Sequence, residues 1–216
     1  MNNIRILIIG LGRIGKIHLA NLQAMEEVEI VGICDPTHEA KVFSNKAGLA
    51  FYQKDFTDIA SEVQVDAIVI CSPTDTHANY VSLAAKKGID VFCEKPLDLS
   101  LEKVKQVLKT VNESKIKLML GFNRRFDSEF QSVKEKVVNG HIGDIHTIKI
   151  TSRDPSPPPI NYIKSSGGMF LDMTIHDFDM IRYLINKKIV EVYAKGDALI
   201  NPEIVKLETL IRLLSI

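Results

Sequence analysis

The sequence predicts a doubly wound parallel α/β sheet followed by an incomplete α/β second unit with an open mixed sheet, and three observations predict it. Arg5 to Ile9 reads as a short apolar strand that runs directly into Gly10-Leu11-Gly12-Arg13-Ile14-Gly15, a GxGxxG that opens a helix. Apolar strands and helix-like stretches then alternate as far as Phe122. From Asp144 to Ser152 the apolar period falls to two, as in a strand with one wet face.

The first turn sets the chemistry of the first part. Gly10 permits a tight turn, Gly12 lets the backbone come close to a pyrophosphate, and Gly15 lets the helix pack closely on the strand. The first amides of that helix have no intrahelical partners and lie at the positive end of its dipole, so a phosphate is a natural guest. A lone GxGxxG is a weak signal. Here a second strand, Val28 to Cys34, ends in Asp35, about twenty residues beyond Gly15, where a carboxylate reaches the adenosine ribose hydroxyls of a dinucleotide. A carboxylate repels a 2'-phosphate and Pro36 supplies no cation, so the sequence favours NAD over NADP.

The remaining elements follow in order. A polar helix over Thr37 to Ala47 stops at Gly48, an extended piece covers Ala50 to Gln53, and a helix covers Phe56 to Val63. Asp66 to Cys71 is an almost wholly apolar strand, the texture of a sheet covered on both faces. Then come a helix over Asp75 to Lys87, a strand over Asp90 to Cys93, a helix over Leu101 to Ser114 with Ser100 as N-cap, and a strand over Lys117 to Gly121. The first domain is set at 1–122 and the second at 123–216. The second opens with a helix over Ser128 to Asn139. Arg153-Asp154-Pro155-Ser156-Pro157-Pro158-Pro159 excludes helix and central strand, so it reads as a stiff surface loop. A single helix over Gly168 to Ile185 and a strand over Ile189 to Lys195 complete the pattern.

Composition narrows the class. At 216 residues the chain has room for a real core, with 45% hydrophobic and 25% charged residues. Lys and Arg number 27 and so do the acids, which leaves no basic stripe for nucleic acid and no acidic tail. The apolar runs are strand-sized and no signal-type stretch opens the chain, so a cytoplasmic protein without membrane spans is expected. Cys34, Cys71 and Cys93 show no CxxC spacing and read as buried thiols rather than metal ligands.

Two stretches could carry reaction chemistry. On one continuous helix after Gly168, with about 100° per residue, Asp172, His176, Asp179 and Tyr183 share a face. A carboxylate one turn before a histidine can hold the imidazole and support its positive form, which suits a general base acting on a hydroxyl. A solvated polar face is the plain alternative, and two ligands without a third give metal little support. Asp177 falls on the apolar side of that helix, where spacing offers no reason for it. The second stretch is Glu94-Lys95-Pro96, directly after a strand and so at the carboxyl edge of the sheet. A lysine there can donate to a substrate oxygen as alkoxide character develops, although a Lys-Pro after a strand is commonly just a turn. Asn123-Arg124-Arg125-Phe126-Asp127 begins the second part with cations that are either salt-bridged or turned to a cleft.

Taken together, several motifs resemble one family. They are the GxGxxG, Cys71-Ser72-Pro73-Thr74 with His77, Glu94-Lys95-Pro96, Gly121 to Asp127, and Gly167-Gly168 leading to Asp172, His176 and Asp179. These are similar to the glucose-fructose oxidoreductase/inositol dehydrogenase (Gfo/Idh/MocA) family, and Ser152 to Pro155 with Asp172 to Asp179 most resemble its inositol dehydrogenases. The resemblance implies an NAD-binding Rossmann domain and a second α/β domain with a large open sheet. It implies oxidation of one secondary hydroxyl of myo-inositol or a related cyclic polyol to the ketone, with hydride passing to the nicotinamide. By position, Gly10, Gly12, Arg13, Ile14, Gly15, Asp35, Ser72, Thr74, His77, Glu94 and Lys95 would line the cofactor. His176 would be the base, Asp172 its partner and Lys95 the donor to the reacting oxygen; Asn123, Arg124, Asp154 and Asn161 would join Asp172 and His176 around the polyol. The family implies a homotetramer through the open sheet. A dehydrogenase of another sugar and a non-catalytic dinucleotide-binding protein stay open beside this reading.

The end of the chain departs from that family. Its members tend to read Gly-Asp-Val-Asp-Thr-Ala-Val-Ile where this chain has Lys206 to Ile216. Codons for that peptide, GGA GAC GTT GAT ACG GCT GTT ATC A, read one nucleotide later as Glu-Thr-Leu-Ile-Arg-Leu-Leu-Ser, which is Glu208 to Ser215. A frameshift near Lys206 and a shortened second sheet are therefore expected; such a sheet exposes an apolar face and an unpaired edge, which favours aggregation or poor folding of the second part, and it undercuts the tetramer that the family implies. Reading the coding nucleotides tests this: the alternative frame should continue with sheet-like sequence, and a frame without one rejects the frameshift.

Overall fold

A computed structural model of the chain describes residues 3–53 and 56–196, without the side chains of Asn161, Lys164 and Ser165. The chain divides into two compact units between Gly121 and Phe122.

The first unit is built on six parallel strands: β1 (Ile4–Ile9), β2 (Val28–Cys34), β3 (Phe51–Tyr52), β4 (Ala67–Ile70), β5 (Asp90–Cys93) and β6 (Leu118–Leu120). Their order across the sheet is β3-β2-β1-β4-β5-β6. Between them run α1 (Arg13–Gln23), α2 (His38–Lys46), α3 (Phe56–Glu62), α4 (Thr74–Lys86) and α5 (Leu101–Ser114).

The apolar runs of β1 and β4 follow from this arrangement. Alternate residues of a strand face opposite sides. Leu7 and Ile9 of β1 join Ile68 and Ile70 of β4 under Phe56, Ile59, Val81, Ala84, Val107 and Val111, so α3, α4 and α5 cover that face. Ile6 and Ile8 join Ile33 and Val69 under Leu11, Leu19 and Ala40, so α1 and α2 cover the other. A strand with two covered faces must be apolar at every position. Caps close the helices locally: Thr37 accepts from the Ala40 amide at the start of α2, and Ser100 accepts from the Lys103 amide at the start of α5.

The second unit contains a short 3-10 helix (Asn123–Phe126), α6 (Ser128–Val138), α7 (Ile160–Ser166), α8 (Gly168–Asp172) and α9 (Ile175–Ile185). Three expectations fail here. The period-two stretch Asp144 to Ser152 and the stretch Ile189 to Lys195 are in no ladder, and no strand occurs among the described residues of this unit. A strand exists only with hydrogen-bonded neighbours, and these two stretches find none; the expected open mixed sheet is therefore not present among the described residues. The helix expected over Gly168 to Ile185 is two helices, because the Thr174 amide reaches back five residues to the Met169 carbonyl at 2.8 Å and closes α8. The short α7 was not expected; Pro159, which cannot donate an amide, stands just before it at the N-cap. The tail from Lys206, where the frameshift is expected, lies outside the described residues.

Among the described residues no helix is long and apolar enough to cross a membrane.

One surface pair makes a pH-dependent contribution. Arg5 donates to both Asp66 carboxylate oxygens, at 2.8 and 2.6 Å, and holds that carboxyl down at about 2 against an ordinary 3.8. A depressed folded-state value means the stabilisation is complete above the ordinary value and disappears as pH falls through 3.8 towards 2. Urea titrations at descending pH should therefore show a steeper loss in the parent chain than in Asp66→Asn across that window. Added salt should flatten the difference, since the pair is exposed.

Candidate functional site

The chain winds outward from β1 through β2 to β3, then returns to the other side of β1 at β4. A parallel sheet wound this way opens a crevice beyond the carboxyl ends of the two strands where the direction reverses. Gly10 follows β1 there, and Ser72 follows β4.

These two turns touch through their backbones. Gly10 has φ +89°, and a Cβ on it would lie 2.5 Å from the Ser72 amide nitrogen. A Cβ on Gly15 would lie 2.2 Å from the Gly10 carbonyl oxygen, so α1 could not sit where it does with any other residue at 15. Gly12 differs, since a Cβ there would meet nothing within 4 Å. It borders open space beside the start of α1, where no side chain caps the helix and no acid occupies the first turn. Uncapped amides at the positive end of a helix, beside open room, fit a phosphate. Arg13 is exposed at the first position of α1, and Ile14 is half-buried.

Asp35 directly follows β2 and is buried, at 8% exposure. Its Oδ2 accepts from the Leu11 amide at 2.7 Å, and its Oδ1 accepts from the Thr37 amide at 2.8 Å and the Thr37 hydroxyl at 2.5 Å. The carboxylate thus ties the glycine turn to the start of α2. A carboxylate offers about four acceptor positions, so three donors leave room for one hydroxyl.

The turn after β4 is equally ordered. The Ser72 and Thr76 hydroxyls share a hydrogen bond of 2.6 Å, and Thr74 is the first residue of α4. His77 was expected to face the cofactor. It is instead 2% exposed, with Nδ1 at 2.8 Å from the Pro96 carbonyl oxygen and Nε2 at 2.8 Å from the Ser72 carbonyl oxygen. Both ring nitrogens are therefore taken up by the protein backbone.

Glu94 and Lys95 follow β5. The Glu94 carboxylate meets His18 Nε2 of α1 at 2.7 Å, and it packs against Gly121, where a Cβ would lie 3.1 Å from it. The ring of His18 also meets Phe92 edge-on at 4.9 Å. No sequence signal pairs His18 with Glu94, 76 residues away. Burial pushes the Cys71 thiol up to about 12, with Glu94 adding to it, and burial, Cys71 and Glu94 together push Cys93 up as well. Such thiols are poor nucleophiles. Lys95 is half-buried and precedes Pro96 through a cis peptide bond.

In the second unit, Arg124 pairs with the Asp177 carboxylate, which also accepts from the Ser152 hydroxyl at 2.9 Å. This explains an acid on the apolar side of α9, and it means that Arg124, expected at the polyol, has a protein partner. Arg125 donates to both Asp179 oxygens at 2.7 and 2.6 Å, and Asp179 raises the guanidinium further. Lys134 of α6 donates to the Tyr183 and Leu184 carbonyls at 2.6 and 3.2 Å and closes the far end of α9. Asp172 ends α8 and accepts from the Tyr162 hydroxyl at 3.0 Å, while His176 lies in the first turn of α9 with Phe122 edge-on at 6.3 Å. The break at Met173 means Asp172 and His176 do not share one helical face. Asn123 and Asp154 are exposed, and the side chain of Asn161 lies outside the described residues.

The model of the oxidoreductase family with an NAD-binding Rossmann fold (Gfo/Idh/MocA) matches residues 4–122, more than half of the chain. The chain belongs to this family. A model of the Gfo/Idh/MocA C-terminal domain matches residues 130–211. Among Gfo/Idh/MocA relatives, a myo-inositol 2-dehydrogenase of Thermotoga maritima is 45% identical over 94% of this chain and 61% of its own length. An uncharacterised oxidoreductase of Bacillus subtilis is 44% identical over 93% of this chain and 59% of its own. A crystal structure of a probable dehydrogenase from Thermotoga maritima superposes with a TM-score of 0.89 at 45% identity, covering 94% of this chain and 62% of that one. The scyllo-inositol dehydrogenase of Lactobacillus casei, solved with NAD(H) and scyllo-inositol, gives 0.83 at 31% identity, covering 96% and 63%. The chain thus spans about three-fifths of the length of the relatives it matches.

The glycines separate binding from folding. Gly12→Ala should leave the melting temperature within about 2 °C and weaken NAD at least ~10-fold by calorimetry, because its Cβ enters only the open space. Gly15→Ala should cost about 1–3 kcal/mol of stability in urea, because its Cβ meets a carbonyl that cannot move freely.

Proposed function

We propose that this chain carries the NAD site and the acid–base residues of a dehydrogenase that oxidises one secondary hydroxyl of myo-inositol, or of a related cyclic polyol, to the ketone. The observation that carries the reading is the 45% identity to a myo-inositol 2-dehydrogenase across both units, with Lys95, Asp172 and His176 all present.

Bound NAD supplies the hydride acceptor, at C4 of its nicotinamide. The chain supplies the rest. The Gly10 to Gly15 turn and the first amides of α1 hold the pyrophosphate, and the fourth acceptor position of Asp35 takes a ribose hydroxyl. A carboxylate at that place favours NAD over its 2'-phosphorylated form.

His176 in its neutral form accepts the proton of the reacting hydroxyl. Asp172, which accepts from the Tyr162 hydroxyl, is the carboxylate that the family resemblance pairs with the positive ring that results. The Lys95 ammonium donates to the same oxygen and stabilises its alkoxide character as hydride leaves. Asn123, Asp154, Asn161 and the donors of Arg124 not used by Asp177 remain the polyol contacts of this reading; a guanidinium has five N–H groups.

Turnover tests the assignment. NADH formation should be seen with at least one of myo-, scyllo- and chiro-inositol. His176→Ala should lower kcat by about 10²–10⁴ with NAD affinity unchanged. NAD binding with no oxidation of any inositol or of glucose would replace this reading with a non-catalytic dinucleotide-binding protein.

A further inference from the structure

Lys95 stands on a turn, and something must hold that turn against the sheet. The side chain of His77 joins the turn after β4 to the turn after β5. It is 2% exposed, and each ring nitrogen lies 2.8 Å from a carbonyl oxygen, Ser72 on one side and Pro96 on the other.

The chemistry of that contact is restrictive. Carbonyl oxygens only accept, and a neutral imidazole carries one N–H. At 2.8 Å a bare nitrogen would set its lone pair against that of the oxygen, so a neutral ring satisfies one contact and opposes the other. A ring protonated on both nitrogens donates to both.

We infer that His77 is a two-ended donor, protonated on both ring nitrogens, that clamps the Lys95-Pro96 turn to Ser72 and so acts as the positioning residue for Lys95. Ser72 is itself the residue whose backbone closes on Gly10. The clamp therefore joins three turns at the carboxyl edge of the sheet in one chain of contacts: Gly10 to Ser72, Ser72 to His77, and His77 to Pro96 beside Lys95. A buried charge needs compensation. The two carbonyl dipoles supply it directly; Asp75 lies in the first turn of α4, the helix that carries His77, and the turn after β5 carries Glu94, Asp98 and a second cation in Lys95. Glu94 is paired with His18, and Asp98 accepts from the Ser100 amide at 2.8 Å.

The role assigned to Lys95 rests on the proposed dehydrogenase reading, but the clamp is measurable without it. In the full chain labelled with nitrogen-15 in histidine, both ring nitrogens of His77 should resonate as N–H groups at pH ~7, unlike a free neutral ring. One bare nitrogen overturns the two-ended donor. His77→Gln carries its donors on one nitrogen and an acceptor oxygen at its other end, so it cannot donate to both carbonyls; the backbone amides of Lys95 and Leu97 should shift while the Leu11 amide, held by Asp35, stays in place. Unmoved Lys95 and Leu97 amides overturn the positioning role. In the same variant kcat should fall about tenfold with NAD affinity within about twofold, since a misplaced donor costs turnover rather than binding. A kcat equal to that of the parent, or loss in step with NAD affinity, also overturns it. If the parent chain oxidises no polyol, the dehydrogenase reading fails while the nitrogen and amide signals still decide the clamp.

Discussion

The close approach of two backbones at Gly15 and Gly10 is the constraint on which the first unit depends. A helix is normally held off the sheet it covers by the side chains packed between them. Here the start of α1 comes down until a methyl group on Gly15 would overlap the Gly10 carbonyl at 2.2 Å. That descent places uncapped amides beside the reversal between β1 and β4. Gly10 in turn rests on the Ser72 backbone, so the first helix, the first strand and the turn after β4 share one contact made without side chains. Asp35 then holds the intervening Leu11 amide from the neighbouring strand. Charge, space and donors converge on one place because the packing there leaves out two Cβ atoms.

The second unit solves a different problem with side-chain charge. Helix α9 carries His176 in its first turn and is tied down along its length by Asp177 to Arg124, Asp179 to Arg125, and Lys134 to the last carbonyls. Asp177 and Asp179 are mostly buried, with side chains 15% and 10% exposed, so each would be costly alone and each has a guanidinium. Pairs like these contribute little net stability, because desolvation offsets much of the attraction. What they contribute is orientation: a bidentate Arg fork on Asp179 accepts only a narrow range of geometries. The two arginines are adjacent in sequence and the two acids are two apart, so the 3-10 helix and α9 can meet in only one register.

Much of the first unit was legible because its signals are local. The GxGxxG, the apolar strands and the N-caps at Thr37 and Ser100 each depend on residues a few positions apart, and β5 and α5 fall where the pattern puts them. Long-range partners were not legible. Nothing in the sequence joins His18 to Glu94, or tells that His77 turns its ring to two carbonyls rather than outward. In the second unit the helical period ran unbroken through Met173, and only the reach of the Thr174 amide to Met169 reveals the break. Asp177 resisted explanation because its reason, Arg124, lies 53 residues away. The alternation from Asp144 to Ser152 was real as a pattern, but a pattern specifies which face of a strand is wet, not whether a neighbour exists to make it a strand.

This contrast bears on what each half of the proposed chemistry can reveal of itself. A cofactor turn made of backbone amides tolerates almost any side chain outside its three glycines, so its motif stays recognisable and says only that a dinucleotide is held. A polyol site is made of side-chain donors and acceptors, and isomers of inositol differ only in where single hydroxyls point. Discrimination among them requires donors and acceptors matched hydroxyl by hydroxyl, since an unmatched buried polar group costs more than a matched one contributes. The residues proposed for this are spread over the 3-10 helix, the proline-rich loop, α7, the end of α8 and the start of α9, and the 3-10 helix is tied to α9 by ion pairs rather than by local sequence. Cofactor class is therefore readable from one short turn, whereas substrate identity depends on the assembled second unit and has to be measured on the protein.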